Sequence, residues 1–386
     1  MKNLHVVSSV DPATGGPVEG IRQISAVVLG QGHQVEVASL DDPSAEFLKD
    51  FPLPIHALGP GILDYAYSPK FLRWLRENHM RFDAVIVNGI WQYSSYAVWR
   101  ALRHTDTPYF VYTHGMLDPW FNQTYPLKKI KKMLYWPWGM YGVLRDAKAV
   151  LFTTEEEKLL ARQSFSPYKV NEVVVKYGTP GPSGDLQAMK ASFLEKFPQL
   201  KDRRFLLYLS RIHEKKGCDL LIEAFAKIAN DDNGLILVMA GPDKTNMAPA
   251  LKERAAQLKI DDRIMWPGML TGSNKWGAFA SAEAFVLPSH QENFGIVVAE
   301  ALACRTPVLI SNKVNIWREV LAGEGGLVDD DTQVGTDRTL SKWESLSAQE
   351  REAFRDRART CYETHFGIDA AAESLLAAVR KYGGVD

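Results

Sequence analysis

The sequence has few cysteines, almost no net charge and no long hydrophobic run. Its three cysteines, Cys218, Cys304 and Cys361, are widely spaced. They predict neither a disulfide framework nor a metal-binding pattern, and they favour a reducing, cytoplasmic environment. The net charge of −1 indicates no bulk attraction to nucleic acid or to an anionic membrane. No apolar run approaches the roughly 20 residues of a membrane span, and residues 1–10 are predicted to be a first strand rather than a signal peptide.

The composition is that of a soluble globular protein with enough residues for two domains. The chain has 386 residues, of which 46% are hydrophobic and 24% charged. Short apolar runs alternate with helical patterns, which predicts an α/β fold with parallel sheets. The densest cluster of proline and glycine, residues 177–184, is the expected linker. We therefore predict domains at residues 1–180 and 185–365, followed by a helix at 366–386.

The stretch 284–302 is expected to form a strand, a loop and a helix. Its first four residues are apolar, as in a buried parallel strand, and Pro288 ends that strand. Gly295 then opens a helical pattern, and Glu300 is predicted to lie off its apolar face. That face consists of Val297, Val298, Ala301 and Leu302.

Two glutamates of this stretch are candidate ligand-binding residues. Glu292 lies in the predicted loop, and Glu300 lies one turn or more into the helix. Open α/β sheets bind ligands at the carboxyl ends of their strands, and a helix N-terminus suits a phosphate. Ionised carboxylates accept hydrogen bonds from sugar hydroxyls, so the layout fits a nucleotide sugar. The alternative is that Glu292 is an ordinary loop acid and Glu300 a solvated helix residue.

A second candidate site follows the predicted strand 205–209. Arg211 and Lys216 are five residues apart in a loop that opens a helix. Two cations so placed suit a diphosphate, whose negative charge increases when it leaves. The alternative is a surface salt bridge with the adjacent Glu214.

The first half of the chain holds two weaker candidates. Gly15 and Gly16 follow the first strand but do not form the G-x-G-x-x-G fingerprint of dinucleotide-binding proteins. They are either a plain turn or a backbone that approaches a diphosphate closely. His114 follows the predicted strand 109–112, where it is either structural or part of a catalytic or acceptor-binding site.

These motifs resemble those of a known enzyme family. The pair Glu292 and Glu300, with the flanking residues 293–295 and 301–308, resembles the paired-glutamate motif of the retaining GT-B glycosyltransferases of family 4 (glycosyltransferase group 1). The segment 114–120, His-Gly-Met-Leu-Asp-Pro-Trp, resembles the acceptor-side segment of a bacterial polysaccharide-building subset of that family.

The resemblance implies a GT-B fold, with two Rossmann-like domains whose parallel sheets face a donor-binding cleft and a final helix that crosses back to the first domain. It implies that Glu292 contacts the hexose, that Glu300 contacts the ribose, and that Arg211 and Lys216 bind the diphosphate. The other residues that it places against the donor are Gly15, Gly16, Gly241, Pro242, Met269, Leu270, Asn293, Phe294, Gly295 and Ile296.

The implied reaction is hexosyl transfer from a nucleotide sugar, with retention at the anomeric carbon. His114 would contact the sugar or the incoming hydroxyl, and Asp118 would lie on the acceptor side. UDP-glucose is the first expectation for the donor and GDP-mannose the second. No cofactor and no metal are expected, because arginine and lysine replace the metal in GT-B enzymes. Asp329, Asp330 and Asp331 are therefore read as an exposed turn rather than a metal site.

A basic and aromatic segment at residues 125–141 bears on the acceptor. Four lysines, Lys128, Lys129, Lys131 and Lys132, stand beside tyrosines and tryptophans. This pattern is typical of a surface that contacts the inner face of a membrane, where a saccharide or lipid-linked saccharide acceptor would be found. The alternative is a solvated lysine face on a helix, and binding of nucleic acid is not expected.

Three other functions remain open from the sequence. A different GT-B chemistry, such as epimerisation of a nucleotide sugar, would need further acids and histidines around the sugar. A non-catalytic protein that binds nucleotide sugars would be expected to lack some of Arg211, Lys216, Glu292 and Glu300, and all four are present. An NAD-dependent dehydrogenase is disfavoured by the missing fingerprint.

Overall fold

Residues 1–229 and 234–385 are described by the computed structural model, and they form two α/β units. The first unit comprises Met1–Gly178 together with Ile368–Asp386, and the second comprises Thr179–Gly367. The chain therefore leaves the first unit once and returns to it with its last helix.

The first unit contains a seven-stranded parallel sheet with the strand order β3-β2-β1-β4-β5-β6-β7. The strands are β1 (Lys2–Val7), β2 (Gln34–Ser39), β3 (Ile55–Ala57), β4 (Ala84–Asn88), β5 (Tyr109–Tyr112), β6 (Ala149–Phe152) and β7 (Glu172–Val174). The helices are α1 (Gly16–Gly30), α2 (Pro69–Asn78), α3 (Tyr93–Leu102), α4 (Pro119–Thr124), α5 (Pro126–Tyr135), α6 (Tyr141–Arg145) and α7 (Glu155–Ala161). Every residue of β4, β5 and β6 is buried, as expected for central strands covered by helices on both faces.

The second unit repeats this architecture with six parallel strands in the order β10-β9-β8-β11-β12-β13. Its strands are β8 (Phe205–Leu209), β9 (Ile236–Ala240), β10 (Ile264–Gly268), β11 (Ala284–Leu287), β12 (Val308–Ser311) and β13 (Gly326–Asp329). Its helices are α8 (Leu186–Lys196), α9 (Cys218–Ala229), α10 (Ala248–Gln257), α11 (Gly272–Ser281), α12 (Ile296–Ala303), α13 (Trp317–Ala322), α14 (Gln333–Glu344) and α15 (Ala348–His365).

The last helix, α16 (Ile368–Gly383), packs against α1 within the first unit. It buries a stripe of apolar side chains, which are Ile368, Ala371, Ala372, Leu375, Leu376, Ala378 and Val379. A hydrogen bond from the backbone to a side chain anchors its middle, because the Lys176 N–H donates to Ser374 Oγ at 3.0 Å. The predicted α/β class with parallel sheets is confirmed in both units.

In each unit the strand order reverses beside the first strand of its sheet, at β1 in the first unit and at β8 in the second. Loops that leave the carboxyl ends of the strands at such a point form the usual ligand site of an open α/β sheet. The loops after β1, β5, β8 and β11 carry most of the predicted site residues.

Candidate functional site

Backbone hydrogen bonds join the loop after β8 to the loop after β9, and the end of β9 to the end of β10. The Ile212 N–H donates to the Pro242 carbonyl at 3.0 Å, and the Gly241 N–H donates to the Gly268 carbonyl at 2.8 Å. A Cβ atom at Gly241, whose φ is +144°, would overlap the carbonyl oxygen of Ser210. Glycine is therefore required at this position for the two loops to approach each other.

Lys216 ends a short 3-10 turn, Glu214–Lys216, which is followed by Gly217 in the left-handed conformation. The loop after β11 closes on this turn, because the His290 N–H and the Ser289 hydroxyl both donate to the Lys215 carbonyl, at 2.8 and 2.9 Å. These bonds fix the position of Lys216 relative to the residues that follow β11.

Lys216 and Glu292 form an ion pair at the centre of this arrangement. Lys216 is only 3% exposed. The backbone of Glu292 is also held, since its N–H donates to the Lys313 carbonyl at 2.9 Å. Burial alone would raise the pKa of Glu292, but the Lys216 ammonium, with smaller contributions from Lys215 and Arg211, lowers the pKa below its usual value. Glu292 is therefore a carboxylate at neutral pH.

Arg211 lies near this pair, and its side chain is exposed. Its backbone is fixed by the hydroxyl of Tyr208, which donates to the Arg211 carbonyl at 2.6 Å. Within the described ranges the guanidinium has no ion-pair partner, so the alternative of a surface salt bridge with Glu214 does not apply. Binding of a ligand anion by this exposed cation stays a prediction.

Gly295 precedes α12 in the left-handed conformation, with φ +73°. A Cβ atom there would lie 3.0 Å from Val314 Cγ1 and 3.1 Å from Glu292 Cγ. The glycine therefore lets the loop bring Glu292 and the start of α12 together. Phe294 is buried, and Asn293 and Ile296 are partly exposed.

The helical pattern predicted that Glu300 lies off the apolar face of α12, and this prediction is wrong. The side chain is only 7% exposed and forms an ion pair of 2.8 Å with Lys275 of α11. The expectation failed because α12 is covered on more than one face, with its last six residues all buried. A buried carboxylate with a lysine partner is also not the solvated helix residue of the alternative reading.

The two residues after β10 differ in exposure. Met269 is 68% exposed, and Leu270 is buried. Both follow Gly268, which bonds to Gly241, so they lie at the same edge of the sheet as the Lys216 turn.

In the first unit, His114 follows β5 with φ +46°. The Asn88 amide donates to His5 Nδ1 at 3.2 Å and to the Ile86 carbonyl at 3.1 Å, which fixes Asn88 Oδ1 as the acceptor from His114 Nε2–H at 3.2 Å. Burial, and to a lesser degree His5, lowers the pKa of His114 to about 4. At neutral pH His114 is uncharged, with its proton on Nε2 and an unprotonated Nδ1.

Glu157 is a residue of this site that the sequence analysis missed. It lies in α7 and is 3% exposed, and its carboxylate accepts four hydrogen bonds. One oxygen accepts from Thr113 Oγ1 at 2.7 Å and from the Gly115 N–H at 2.6 Å, on either side of His114. The other accepts from the N–H and hydroxyl of Thr153, at 2.7 and 2.8 Å. The run of three glutamates that starts α7 resembles an ordinary solvated helix start, so no local pattern distinguishes Glu157.

The remaining predicted residues of the first unit have local roles. Asp118 is buried and caps α4, because its Oδ1 accepts from the Trp120 N–H at 2.8 Å. Gly15 has φ +92° and precedes α1, which begins at Gly16. A Cβ atom at either glycine would meet no atom within 4 Å, so the approach of a ligand to this backbone stays a prediction.

The described side chains and helices bear on metal binding and on membrane crossing. Over residues 1–229 and 234–385, no group of three or more histidine, cysteine, aspartate or glutamate side chains is arranged to hold a metal ion. Asp329 pairs with Arg338, and Asp331 lies 3.0 Å from His290. In the same part of the chain, no helix combines the length and apolar character that crossing a membrane requires.

Comparisons with known proteins agree with this architecture. The model of the glycosyl transferases group 1 matches residues 190–360, and that of the glycosyl transferase 4-like domain matches residues 15–178. A D-inositol 3-phosphate glycosyltransferase of Actinosynnema mirum is 29% identical over 261 residues, which cover 62% of this chain and 59% of that protein. The first curated relatives are matched over 40% to 64% of their own lengths.

Solved structures show the same fold over nearly the whole chain. Sucrose-phosphate synthase from Thermosynechococcus elongatus has a TM-score of 0.77 at 18% identity, with all of both chains covered. Anabaena HepE, solved in complex with UDP-glucose, has a TM-score of 0.75 at 15% identity, covering 99% of this chain and all of that one. The fold is GT-B, and the chain belongs to the group 1 glycosyltransferases of family 4.

Proposed function

We propose that the protein is a hexosyltransferase that moves a hexose, with retention of anomeric configuration, from a nucleotide sugar to a saccharide or lipid-linked saccharide. The ion pair between the buried Lys216 and the partly exposed Glu292, beside the exposed Arg211, is the observation that carries this proposal. A nucleotide sugar offers a diphosphate for the two cations and hexose hydroxyls for the carboxylate.

The chemistry needs charge stabilisation more than it needs a nucleophile. The bond between the anomeric carbon and the diphosphate oxygen breaks, the acceptor oxygen bonds to that carbon from the same face, and the acceptor proton passes to the leaving phosphate oxygen. Lys216 and Arg211 stabilise the negative charge that grows on the diphosphate, and they do so more strongly in the transition state than in the ground state. They also supply the positive charge for which other transferases use a metal ion, so we propose transfer without added metal.

The remaining residues orient the substrates. Glu292 accepts hydrogen bonds from the hexose, and Glu300 accepts them from the ribose after Lys275 yields part of its contact. Neutral His114 offers Nδ1 to a sugar or acceptor hydroxyl. The tips at Gly241, Pro242, Met269 and Leu270 border the nucleobase.

We propose UDP-glucose as the donor, with GDP-mannose as the second candidate. HepE, a structural neighbour, was solved with UDP-glucose. Relatives named for kanosaminyl transfer and for inositol phosphate show that donors and acceptors vary within the family. We place the reaction in the cytoplasm, at the inner face of the membrane, in synthesis of an envelope or extracellular polysaccharide.

The test is a calorimetric and thermal-shift panel of UDP, GDP, ADP and their glucose and mannose conjugates, in buffer containing EDTA. We expect UDP and UDP-glucose to stabilise the protein selectively, by about 2.7 kcal/mol at a ligand concentration 100 times the Kd. Lys216→Ala should abolish the shift. The matched control Lys227→Ala removes an exposed lysine of α9 and should retain it.

Glu292→Ala should lower transfer by about 100-fold or more, as the loss of one group acting at the transition state commonly does, while the fold is kept. Full activity in this variant would refute the site assignment. Stabilisation by NAD with no response to any nucleotide sugar would refute the function. The anomeric configuration of the product, read by NMR, tests retention.

A further inference from the structure

Helix α5 presents an apolar stripe to solvent. It buries none of its ten residues, all of which the structure describes. Leu127, Ile130 and Leu134 follow the helical spacing and are 82%, 56% and 70% exposed. Trp138, in the π-helical turn Trp136–Met140 that continues α5, is 82% exposed. We call these four residues the apolar stripe.

The charge along the segment that carries the stripe has one sign. No acidic residue occurs between Asp118 and Asp146, whereas α5 alone carries Lys128, Lys129, Lys131 and Lys132. None of these four lysines has an ion-pair partner in the described part of the chain. An apolar stripe flanked by unpaired lysines complements a surface that is apolar inside and anionic at its edge.

A groove of about 550 Å³ opens beside the lysines. It is lined by Lys128, Lys131 and Lys132 on α5, and by Tyr65, Trp91, Gln92 and Tyr135 on its walls. The acidic residue Asp64 also lines the groove, so three lysines face one carboxylate there. Lys132 Nζ lies 4.6 Å from the Trp91 ring centroid, and the Tyr65 and Tyr135 hydroxyls are 2.6 Å apart. Burial, and to a lesser degree the charge of Lys128, lowers the pKa of Lys132, so an anion that entered the groove would favour the charged form of this lysine.

The groove is connected to the loop that carries His114. Trp91 Nε1 donates to the Met116 carbonyl at 3.2 Å, and the Ile90 N–H donates to Met116 Sδ at 3.3 Å. A wall of the groove is thus fixed two residues from His114. A ligand that filled the groove would lie beside the residue that we assign to the acceptor side.

We infer that this groove binds the phosphate end of a membrane-held lipid to which the acceptor saccharide is linked, with the apolar stripe inserted among the acyl chains. The inference rests on the proposed function for its reference to an acceptor. Lys128, Lys131 and Lys132 contact the phosphate, and Trp91 and Tyr135 cover the first carbons of the chain. Insertion of the stripe places the saccharide toward His114.

The test is sedimentation of the full chain with vesicles of phosphatidylcholine alone and with about 30% phosphatidylglycerol, a content that gives a strongly anionic surface. We expect binding to the anionic vesicles only. Replacing the three groove lysines (Lys128→Gln, Lys131→Gln, Lys132→Gln) should weaken binding on the order of 100-fold, since each lysine near such a surface contributes about fivefold. Leu127→Ser with Leu134→Ser should also weaken binding, and should blunt the blue shift of tryptophan fluorescence that insertion of Trp138 produces.

The matched control replaces three exposed lysines elsewhere in the same unit (Lys49→Gln, Lys148→Gln, Lys169→Gln), which changes the net charge equally. It should retain vesicle binding. Equal loss in the control and groove variants would refute the groove and leave only bulk charge. Absence of vesicle binding by the wild type would refute the lipid as occupant. If the serine variant still bound vesicles but no longer associated with a second copy of the chain, the stripe would be an interface between copies, and the lipid would again be refuted.

The outcomes separate this inference from the proposed function. The UDP response belongs to the second unit and should be unchanged in both lysine variants. Unchanged UDP binding and transfer to a water-soluble acceptor, without vesicle binding, would refute the groove alone. Vesicle binding without any nucleotide response would refute the transferase and leave the lipid surface.

Discussion

The carboxylate of Glu157 holds the turn on which His114 lies. It accepts from Thr113 Oγ1 and the Gly115 N–H on one oxygen and from Thr153 on the other, in a buried position. His114 itself adopts φ +46°, which is unusual for a residue with a side chain, costs about 1–3 kcal/mol and persists only where the surroundings impose it. We therefore regard Glu157 as a positioning residue for His114.

Glu157→Gln should separate these effects. The amide nitrogen cannot accept, so at least two of the four buried donors lose their partner, and we expect the protein to lose about 1–3 kcal/mol of stability. The value of kcat should fall more than KM rises, because the turn still forms but His114 is misplaced. Urea unfolding and steady-state kinetics measure the two quantities. Glu155→Gln, at an exposed position on the same helix, is the control, and an equal loss of kcat there would contradict the role of Glu157.

His5 and His114 predict a loss of stability in weak acid. Burial lowers the pKa of both to about 4, against an ordinary value of 6.5. Between pH 6.5 and 4 the unfolded chain therefore binds up to two protons that the folded chain does not, and stability falls as the pH falls, by about 1.4 kcal/mol per pH unit for each proton. Above pH 6.5 both states are neutral at these residues and the effect is absent.

Urea unfolding at pH 7, 6 and 5 measures this slope. His5→Gln keeps an acceptor for Asn88 and should reduce the slope by about one proton. The exposed His104 provides the control through His104→Gln. A slope that His5→Gln leaves unchanged would show that the pH dependence arises from other groups.

At the scale of single residues, the sequence predicted the identity of the charged groups but not their partners. Arg211, Lys216 and Glu292 are charged residues in loops that follow strands, which made them candidates. The ion pair of Lys216 with Glu292 joins two of them across 76 positions of sequence. Glu157 and Lys275 were not predicted, because what makes them special is burial and a distant partner. Neither property leaves a local pattern in the sequence.

The loops between strand and helix depend on glycines with positive φ. Gly217 follows the Lys216 turn with φ +65°, and a Cβ atom there would overlap the carbonyl oxygen of Pro288. Gly32 has φ +81°, but a Cβ atom there would meet nothing within 4 Å. Both positions need the left-handed conformation, but only Gly217 is approached closely by a second loop.

Gly217→Ala should destabilise the protein by more than Gly32→Ala, for which strain alone costs about 1–2 kcal/mol. The new methyl group must also push the loop after β11 away, so the contact between Lys216 and Glu292 changes and UDP binding weakens. Urea unfolding and UDP titration of the two variants measure both effects. Equal loss of stability with UDP binding intact in both would contradict the account of the Lys216 turn.

Elements with a strong local pattern were predictable. The strands at 109–112, 205–209 and 284–287 were predicted at their observed bounds, because short apolar runs ended by polar residues or proline have few other solutions. The continuation of α5 through a π-helical turn was not predicted, since Trp136-Pro137-Trp138 reads as a break. Burial of Trp136, which donates to the Pro167 carbonyl at 2.8 Å, favours the continuous path and is set by tertiary packing.

The molecule as a whole consists of two units, of which the second is a single continuous segment and the first is built from two separate segments of the chain. Thr179–Gly367 contains its own sheet, whereas Met1–Gly178 receives α16 from the end of the chain. The alternation of strands and helices predicts two parallel sheets, because each crossover needs a covering helix. The matching of α16 with α1 depends on contacts between residues more than 300 positions apart in sequence, which a local pattern cannot specify.

Removal of α16 should therefore destabilise one unit and spare the other. A chain ending at Gly367 loses four large buried side chains, those of Ile368, Leu375, Leu376 and Val379, whose burial contributes about 6–12 kcal/mol. That loss is comparable with the about 5–15 kcal/mol by which a typical domain is stable, so we expect the first unit to unfold at a much lower temperature or not to fold. The second unit keeps all of its strands together with Lys216 and Glu292, so calorimetry should show one transition retained and still raised by UDP.

Leu375→Ala with Leu376→Ala in the full chain is the milder variant, and Lys381→Ala, on the same helix, is the control. A single transition that shifts as a whole, with the UDP response lost, would mean that α16 stabilises the second unit directly and that the two units do not unfold independently.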